Sequence, residues 1–295
     1  MISTWLRAIR IRFLLASVVA VSVGLAITWW QTSSVTILDA ILTMCGVLAL
    51  HASVDLLNDY WDFKRGIDTT TQRTKMSGGS GVLPDGLLKP TQVYAAGIVF
   101  LVIGASIGLY FVATDGIIIG IILAFAVISI YFYSTKLVNW GLAEVFVTIK
   151  GSMIVIGTYF VQTQQIIESV VLCGIVIGVL SSLVLFITSF PDHDADKAKG
   201  RKTLVISLGK QRACSILWVF PVVAYGISIV AVVFEIFPIS CLIVLVTIPL
   251  IIKSGHKLKQ NYEQLTNLVS AMSSTLYFSR ITGGLLVVGF LVNIG

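Results

Sequence analysis

Residues 166–190 read IIESVVLCGIVIGVLSSLVLFITSF, and no charged residue interrupts the run between Glu168 and Asp192. The hydrocarbon core of a bilayer is about 30 Å thick, and about 20 mostly apolar helical residues span it. The run is long enough for this, and its neighbouring charges lie at its two ends. It predicts a membrane-spanning helix, and the rest of the chain repeats the pattern.

The composition of the whole chain agrees with a membrane protein. Of its 295 residues, 57% are hydrophobic and 12% are charged, and the mean hydropathy is +0.97. A soluble domain carries about 25% charged residues, and a soluble globule of this composition would expose large apolar patches. The same composition excludes a disordered chain and a disulfide-stapled secreted scaffold. The four cysteines lie far apart in apolar runs, as buried small hydrophobic residues do.

The hydropathy pattern predicts an all-α polytopic membrane protein with about nine transmembrane helices. No linker or low-complexity tract divides the chain, so we expect a single domain over residues 1–295. The first apolar segment follows a basic N-terminus as a signal peptide does, but its length predicts a retained span. The nine segments are 12–30, 33–57, 91–113, 116–135, 140–162, 166–190, 212–234, 236–253 and 273–294.

The distribution of basic residues predicts the orientation in the membrane. With a net charge of +6, the chain places every Lys and Arg except Lys150 and Arg280 at one face, whereas the opposite face carries only acidic residues. The positive-inside rule therefore predicts a cytoplasmic N-terminus and an outside C-terminus. The cytoplasmic loops would be 58–90, 136–139, 191–211 and 254–272.

The second predicted span ends in an acidic cluster. If the helix continues, Asp55, Asn58, Asp59 and Asp62 fall at i, i+3, i+4 and i+7 and form one stripe, with His51 one turn deeper. Like charges at this spacing repel each other, and near the membrane interior they are costly without a cation. Oxygen ligands of this kind suit Mg²⁺, which takes one or two carboxylates together with substrate phosphates.

A second acidic cluster follows the sixth predicted span. Asp192 and Asp196 are i, i+4 neighbours, whereas Asp194 points to the opposite side. Pro191 disfavours a helical conformation at Phe190, so we expect the span to break or kink there.

Four intervening spans place both clusters on the same face of the membrane. The two carboxylate pairs can therefore converge on one metal-phosphate site, with flanking basic residues that bind phosphate oxygens. Those near the first cluster are Lys64, Arg65, Arg73 and Lys75, and those near the second are Lys197, Lys199, Arg201 and Lys202.

The combination of motifs resembles the UbiA superfamily of intramembrane prenyltransferases over nearly the whole chain. The first motif of that family, N-x-x-x-D, lies within NDYWDFKRGID. The second reads D-x-x-x-D followed by G-x-x-T-L. The matching residues are Asn58 and Asp62 in the first motif, and Asp192, Asp196, Gly200, Thr203 and Leu204 in the second.

The resemblance implies a helical bundle around a central cavity in which a prenyl diphosphate ionises and an electron-rich acceptor attacks. It implies Mg²⁺, with Mn²⁺ as a substitute, bound by Asn58, Asp62, Asp192 and Asp196. The implied partners are a prenyl diphosphate, an aromatic acceptor and the lipid bilayer, with no nucleic acid. The implied catalytic residues are Asp62, Asp196 and Tyr133. The implied diphosphate-binding residues are Asn58, Asp59, Lys64, Arg65, Arg73, Lys75, Lys136 and Lys199.

Further stretches resemble the menaquinone-pathway branch, which prenylates 1,4-dihydroxy-2-naphthoate. They are GGSGVLPDG at 78–86, Glu144 at the start of the fifth span, and GTYFVQT at 157–163. Thr188 and Ala143 depart from that branch, where Asn and Gly are common. Other acceptors therefore stay open, namely 4-hydroxybenzoate and geranylgeranylglyceryl phosphate.

Several residues have two interpretations. Lys150 lies in mid-span, where an ionisable group is a functional hypothesis by default, although a tertiary salt bridge, with Glu144 as one candidate, is an equal alternative. His51 either tunes a ligand or is a hydrogen-bonded structural residue. Tyr133 and Lys136 either contact the substrate or anchor the chain at the interface.

A membrane transporter is the alternative function of another class. A transporter would carry its polar site near the midplane of the membrane, whereas the acidic clusters of this chain lie at the cytoplasmic ends of the predicted spans.

Overall fold

The computed structural model describes residues 1–68, 73–74, 76–132 and 140–292, and every regular element within these ranges is helical. In chain order the α-helices are α1 (Ile2–Ala8), α2 (Ile11–Thr32), α3 (Ile37–Lys64), α4 (Pro90–Asp115), α5 (Ile117–Phe132), α6 (Ala143–Thr163), α7 (Glu168–Ala198), α8 (Leu204–Leu208), α9 (Lys210–Ile216), α10 (Val219–Val233), α11 (Ile248–Asn261) and α12 (Leu265–Val292). A 3₁₀ helix, Ile239–Thr247, precedes α11.

The architecture confirms the prediction of an all-helical membrane protein. Eight helices in the described ranges are long and apolar enough to cross a bilayer, with α9 and α10 counted together, and likewise the 3₁₀ helix and α11. The shorter apolar α5 corresponds to the predicted span 116–135 and is described as far as Phe132. The protein is an integral membrane protein with about nine spans.

Two helices extend beyond their predicted ends, and both carry an acidic motif. Helix α3 continues to Lys64 rather than ending near residue 57. Helix α7 continues through Pro191 to Ala198, so the expected break at Phe190 is wrong. Proline removes one backbone hydrogen bond from a helix, but membrane helices tolerate it because neighbouring groups compensate. Both acidic motifs are therefore helical, with side chains four residues apart on one face.

Helix α7 lies at the centre of the bundle. Of its most apolar window, 72% is buried, against 17% for α4, which faces outward. Its most extensive packing partner is α6. The two backbones approach so closely that a Cβ added at Gly178 would lie 2.1 Å from the Thr148 carbonyl oxygen. Small residues permit such close approach where the hydrophobic effect does not drive helices together.

Candidate active site

The acidic ends of α3 and α7 face one open cavity of about 1260 Å³. We call it the polar cavity. Helices α2, α3, α6, α7 and α12 surround it. Asn58 and Asp62 reach it from α3, and Asp192 and Asp196 from α7. The structure thus brings together the four residues that the sequence analysis assigned to a metal.

A single guanidinium joins the two motifs. The Arg201 Nη1 donates to Asp196 Oδ1 at 3.0 Å, and its Nη2 forms an ion pair with Asp62 Oδ1. All three side chains are at most 10% exposed. We call Asp62, Asp192, Asp196 and Arg201 the rim of the polar cavity. A buried triad of this kind depends on all of its charges, because removing one leaves another uncompensated.

The position of Arg201 follows from how α7 ends. Gly200 adopts a φ of +80°, its backbone N–H donates to the Lys197 carbonyl oxygen, and the N–H of Arg201 donates to that of Asp196. This pair of bonds is the Schellman motif, for which glycine is suited because it has no Cβ. The turn folds the chain back over the end of α7 and returns Arg201 to Asp196.

The remaining residues of the second motif anchor the next helix. The Thr203 hydroxyl accepts from the Ile206 N–H and caps the start of α8. The Glu144 Oε1 accepts from the Leu204 N–H at 3.1 Å. Glu144 therefore connects α6 to the turn that carries Arg201 and forms no ion pair with Lys150, contrary to one of the alternatives above.

The glycine-rich segment 76–86 contacts both motifs through its backbone. The Gly78 N–H donates to Asp192 Oδ2 at 3.2 Å, and the Ser80 N–H donates to Asp59 Oδ2 at 3.1 Å. Gly79, with a φ of +74°, passes so near Asp68 that an added Cβ would lie 2.5 Å from its Oδ2. Glycine is therefore required at position 79, where the backbone passes close to Asp68 in a left-handed conformation.

Two further acids, Asp68 and Asp59, lie beside the rim, and their surroundings differ. Burial raises the pKa of Asp68 to about 7, and the carboxylates of Asp62 and Asp59 act in the same direction. Asp59 instead forms an ion pair with Arg10, which precedes α2. Burial alone would lower the pKa of the Arg10 guanidinium, but Asp59 and Asp55 hold it above its ordinary value. Asp59 therefore anchors the scaffold beside the cavity.

The basic residues predicted to bind diphosphate are spread more widely than expected. Lys64 stays at the surface, where its Nζ donates to the Tyr60 hydroxyl at 3.1 Å. Arg73 pairs with Asp85 at 2.9 Å, Lys199 is exposed, and Arg65 lies within electrostatic range of Asp196. Tyr133, Lys75 and Lys136 lie outside the described residues.

Deeper in the polar cavity lie four ionisable side chains, namely His51, Asp55, Lys150 and Arg280. The Nδ1 of His51 is 2.7 Å from the Ser17 hydroxyl, which supports the hydrogen-bonded interpretation of this residue. Its Nε2 is 3.9 Å from Asp55 Oδ2. Lys150 is recognisable in the sequence as a mid-span charge, but its proximity to Arg280 is not, because the two are on different helices and share no motif.

An apolar chamber adjoins the polar cavity. It has a volume of about 910 Å³ and is lined mainly by aliphatic and aromatic side chains of α3, α4, α5 and α6. Ser17, His51, Lys150 and Ile154 line both spaces. The site thus consists of an acidic rim, a polar middle and an apolar interior.

The rim offers oxygen donors suited to a hard divalent cation. Asp192 Oδ1 is buried and finds no hydrogen-bond partner in the described ranges, and the Asn58 amide donates to Asp62 at 3.2 Å. Among the described residues, no three His, Cys, Asp or Glu side chains converge closely enough to enclose a metal. The residues therefore fit a cation held by one or two carboxylates that completes its shell with water or substrate oxygens, as Mg²⁺ does.

The comparison with protein families gives a match over most of the chain. The model of the UbiA prenyltransferase family matches residues 17–279. A 1,4-dihydroxy-2-naphthoate octaprenyltransferase of Bacillus subtilis is 26% identical over 95% of this chain and 89% of that protein. A 2-carboxy-1,4-naphthoquinone phytyltransferase of Synechocystis is 22% identical over 97% of this chain and 92% of that protein.

The fold is shared with a solved structure. The structure of a UbiA homolog from Archaeoglobus fulgidus bound to GPP and Mg²⁺ aligns with 97% of this chain and 99% of its own, with a TM-score of 0.63 and 15% identity. The family match covers both acidic motifs and the helices that carry them. The chain is an intramembrane prenyltransferase and belongs to the UbiA prenyltransferase family.

Proposed function

We propose that this enzyme transfers a polyprenyl group from a prenyl diphosphate to an aromatic quinone precursor, most specifically 1,4-dihydroxy-2-naphthoate, in a Mg²⁺-dependent reaction. The observation that carries the proposal is the continuity of the site. Acids of both motifs and Arg201 line a polar cavity that adjoins an apolar chamber. This arrangement suits a substrate with a highly charged head and a long apolar tail.

The rim would bind the diphosphate. One or two of the carboxylates of Asp62, Asp192 and Asp196 would hold each Mg²⁺ ion, with Asn58 as a further oxygen donor. When bound, the metal would neutralise negative charge that develops on the departing diphosphate. Arg201 would position Asp62 and Asp196, the two acids that its guanidinium bridges. The backbone contacts of segment 76–86 with Asp192 and Asp59 would hold both motifs in register.

The apolar chamber would take the isoprenoid tail and keep water away from the reacting carbon. The allylic C–O bond breaks and the diphosphate leaves with the electron pair. The electron-rich ring attacks the allylic carbon to form a C–C bond. With a naphthoate acceptor, the carboxylate leaves as carbon dioxide, and the electron pair of its C–C bond restores the aromatic ring.

The choice of acceptor is supported by two relatives named for carboxylated naphthalene substrates and by the stretches 78–86 and 157–163. Thr188, which departs from that branch, lines the polar cavity. An experiment can decide between acceptors. Purified protein would be incubated with Mg²⁺, prenyl diphosphates of several lengths and a panel of acceptors, with Asp62→Asn and metal chelation as inactive controls.

The expected products are prenylated naphthalenediol, identified by mass, and carbon dioxide in equal amount. Equal or faster transfer to 4-hydroxybenzoate or to geranylgeranylglyceryl phosphate would refute 1,4-dihydroxy-2-naphthoate as the acceptor. The prenyltransferase activity itself would stand. Prenylation without release of carbon dioxide would refute the proposed replacement of the carboxylate.

We also propose that the rim faces the cytoplasm, because almost all basic residues lie at that face. In a cysteine-free background, a cysteine placed at Ala198 should react with an impermeant reagent only from the cytoplasmic side. A cysteine at Gln165, an exposed residue at the other end of the bundle, should react only from outside. The reverse pattern would invert the topology.

A further inference from the structure

Two cations lie in the membrane interior without a partner among the described residues. Lys150 and Arg280 are the exceptions to the charge distribution of the sequence, and both line the polar cavity. Within the described ranges, neither forms a hydrogen bond or an ion pair, and Arg280 Nε is buried. We call them the deep pair. Unpaired cations inside a membrane protein are costly and usually functional.

The surrounding charges leave the deep pair with an excess of positive charge. Among acids, Asp55 exerts the main pull on Lys150, and Arg280 repels it. Asp55 is itself attracted to Arg10 as well as to Lys150, and its Oδ2 has no hydrogen-bond partner in the described part of the chain. His51 is held by Ser17. One additional anionic group would balance this region.

An anion bound at the deep pair would lie deeper in the cavity than a diphosphate bound at the rim. Asp55 precedes Asp62 by seven residues on the continuous helix α3, which places it about 10 Å deeper at a rise of 1.5 Å per residue. At the rim, Arg201 and Arg10 are already paired with Asp62 and Asp59. Lys150 instead lies where the polar cavity meets the apolar chamber.

We infer that Lys150 and Arg280 bind the carboxylate of the aromatic acceptor. This inference rests on the proposed function, which requires a carboxylated ring beside the apolar chamber. Arginine presents a planar fork that matches a carboxylate, and lysine adds a compact charge. An acceptor without a carboxylate would leave both cations unpaired, so the deep pair discriminates between acceptors by charge.

A binding experiment separates this role from catalysis. Affinities of 1-hydroxy-2-naphthoate and of 1-naphthol, which share a ring and differ in the carboxylate, would be measured by calorimetry on detergent-purified protein. Lys150→Met and Arg280→Gln should each weaken naphthoate binding by about tenfold to hundredfold and leave naphthol binding unchanged. Lys150→Arg should retain most of the affinity. Lys253→Met and Arg212→Gln, at exposed positions, are matched controls and should behave as wild type.

Kinetics supply a second measurement. The variants should raise the KM for the naphthoate acceptor and leave the KM for the prenyl diphosphate unchanged. Wild-type affinity for the naphthoate in either Lys150→Met or Arg280→Gln, with thermal unfolding confirming the fold, would overturn the inference. A raised KM for the prenyl diphosphate alone would also overturn it, because the pair would then belong to the diphosphate site.

The two proposals fail in different ways. If wild-type protein binds the naphthoate through the deep pair but does not prenylate it, the proposed acceptor fails and the carboxylate site stands. If it prenylates the naphthoate and both variants keep wild-type affinity and KM, the acceptor stands and the carboxylate site fails.

Discussion

The rim and the deep pair are both charged, but the chain treats their charges differently. At the rim, Arg201 pairs with Asp62 and Asp196, and Gly78 donates to Asp192. At the deep pair, Lys150 and Arg280 face the cavity without a partner from the described residues. Charges that the chain pairs itself are preorganised, whereas charges that it leaves unpaired are available to a ligand.

If both proposals hold, this difference would let one cavity bind two anionic substrates in separate regions. A diphosphate needs Mg²⁺ ions that acidic side chains hold in place, and the rim supplies three acids together with Arg201. A single carboxylate needs only a small excess of positive charge, which the mutually repelling Lys150 and Arg280 would provide. The deep pair lies on α6 and α12 beside Asp55, about two turns of α3 from Asp62, so the two anions would bind at different depths of the polar cavity.

The largest expected effect tests the rim. Asp62→Asn or Asp196→Asn keeps the shape of the side chain but removes the charge that would hold the metal. We expect kcat to fall by about a thousandfold or more, and the melting temperature to fall as well, because the buried Arg201 loses one of its two partners. Prenyl transfer and thermal unfolding would be measured together. Asp194→Asn is the control, because this side chain is 82% exposed and belongs to the same motif. Normal activity in either rim variant would remove that residue from the site.

A smaller effect is expected from Arg201→Lys. Lysine keeps the charge but cannot bridge two carboxylates with a planar fork. The value of kcat/KM for the prenyl diphosphate should fall about tenfold. The reciprocal change in the next residue, Lys202→Arg, alters an exposed position and should have no effect. Equal activity of both variants would mean that the bridge between the motifs is dispensable.

The deep region depends on the close packing of α6 against α7, because Gly151 follows Lys150 and contacts Gly178. Gly178→Ala places a Cβ 2.1 Å from the Thr148 carbonyl oxygen, so the helices must separate. Overpacking of this kind destabilises by about 1–3 kcal/mol. Thermal unfolding in detergent should show a lower melting temperature. Gly226→Ala, where an added Cβ meets nothing within 4 Å, should not. Equal melting temperatures would show that the contact is not tight.

The smallest effect is expected at the exposed edge of segment 76–86. Asp85 accepts from Arg73 at 2.9 Å and from Arg7 at 2.7 Å, and these hydrogen bonds hold the pKa of Asp85 below its usual value. Exposed ion pairs contribute little and are screened by salt. Asp85→Asn should change kcat/KM by less than about threefold, and the difference should vanish in about 1 M salt. A large loss at any salt concentration would assign Asp85 to the rim itself.

The ends of α3 and α7 could not be predicted from hydropathy. The spacing of Asn58 and Asp62 predicted one stripe, and the continuation of α3 to Lys64 confirms it. The expected break at Pro191 was wrong, because a single missing N–H does not end a helix that its neighbours enclose. Hydropathy alone could not place either end, since the last turns of both helices are polar.

The basic residues show a second limit. Lysines and arginines near the motifs are natural candidates for phosphate binding, but Lys64 contacts Tyr60, Arg73 pairs with Asp85, and Lys199 is exposed. The spacing of Arg201 from Asp196 does not reveal its role, because the Schellman turn at Gly200 brings the two together. The ion pair of Arg10 with Asp59 joins residues separated by 49 positions, and no local pattern encodes it.

Apolar length, charge asymmetry and the two motifs determined the helical class, the number of spans and the pairing of acids on one face. These properties depend on local spacing and on the thickness of a bilayer, so they can be read along the chain. Which cations are paired was decided only by the tertiary structure. Lys150 and Arg280 lie on different helices, and only the packing of α6, α7 and α12 brings both to the same cavity.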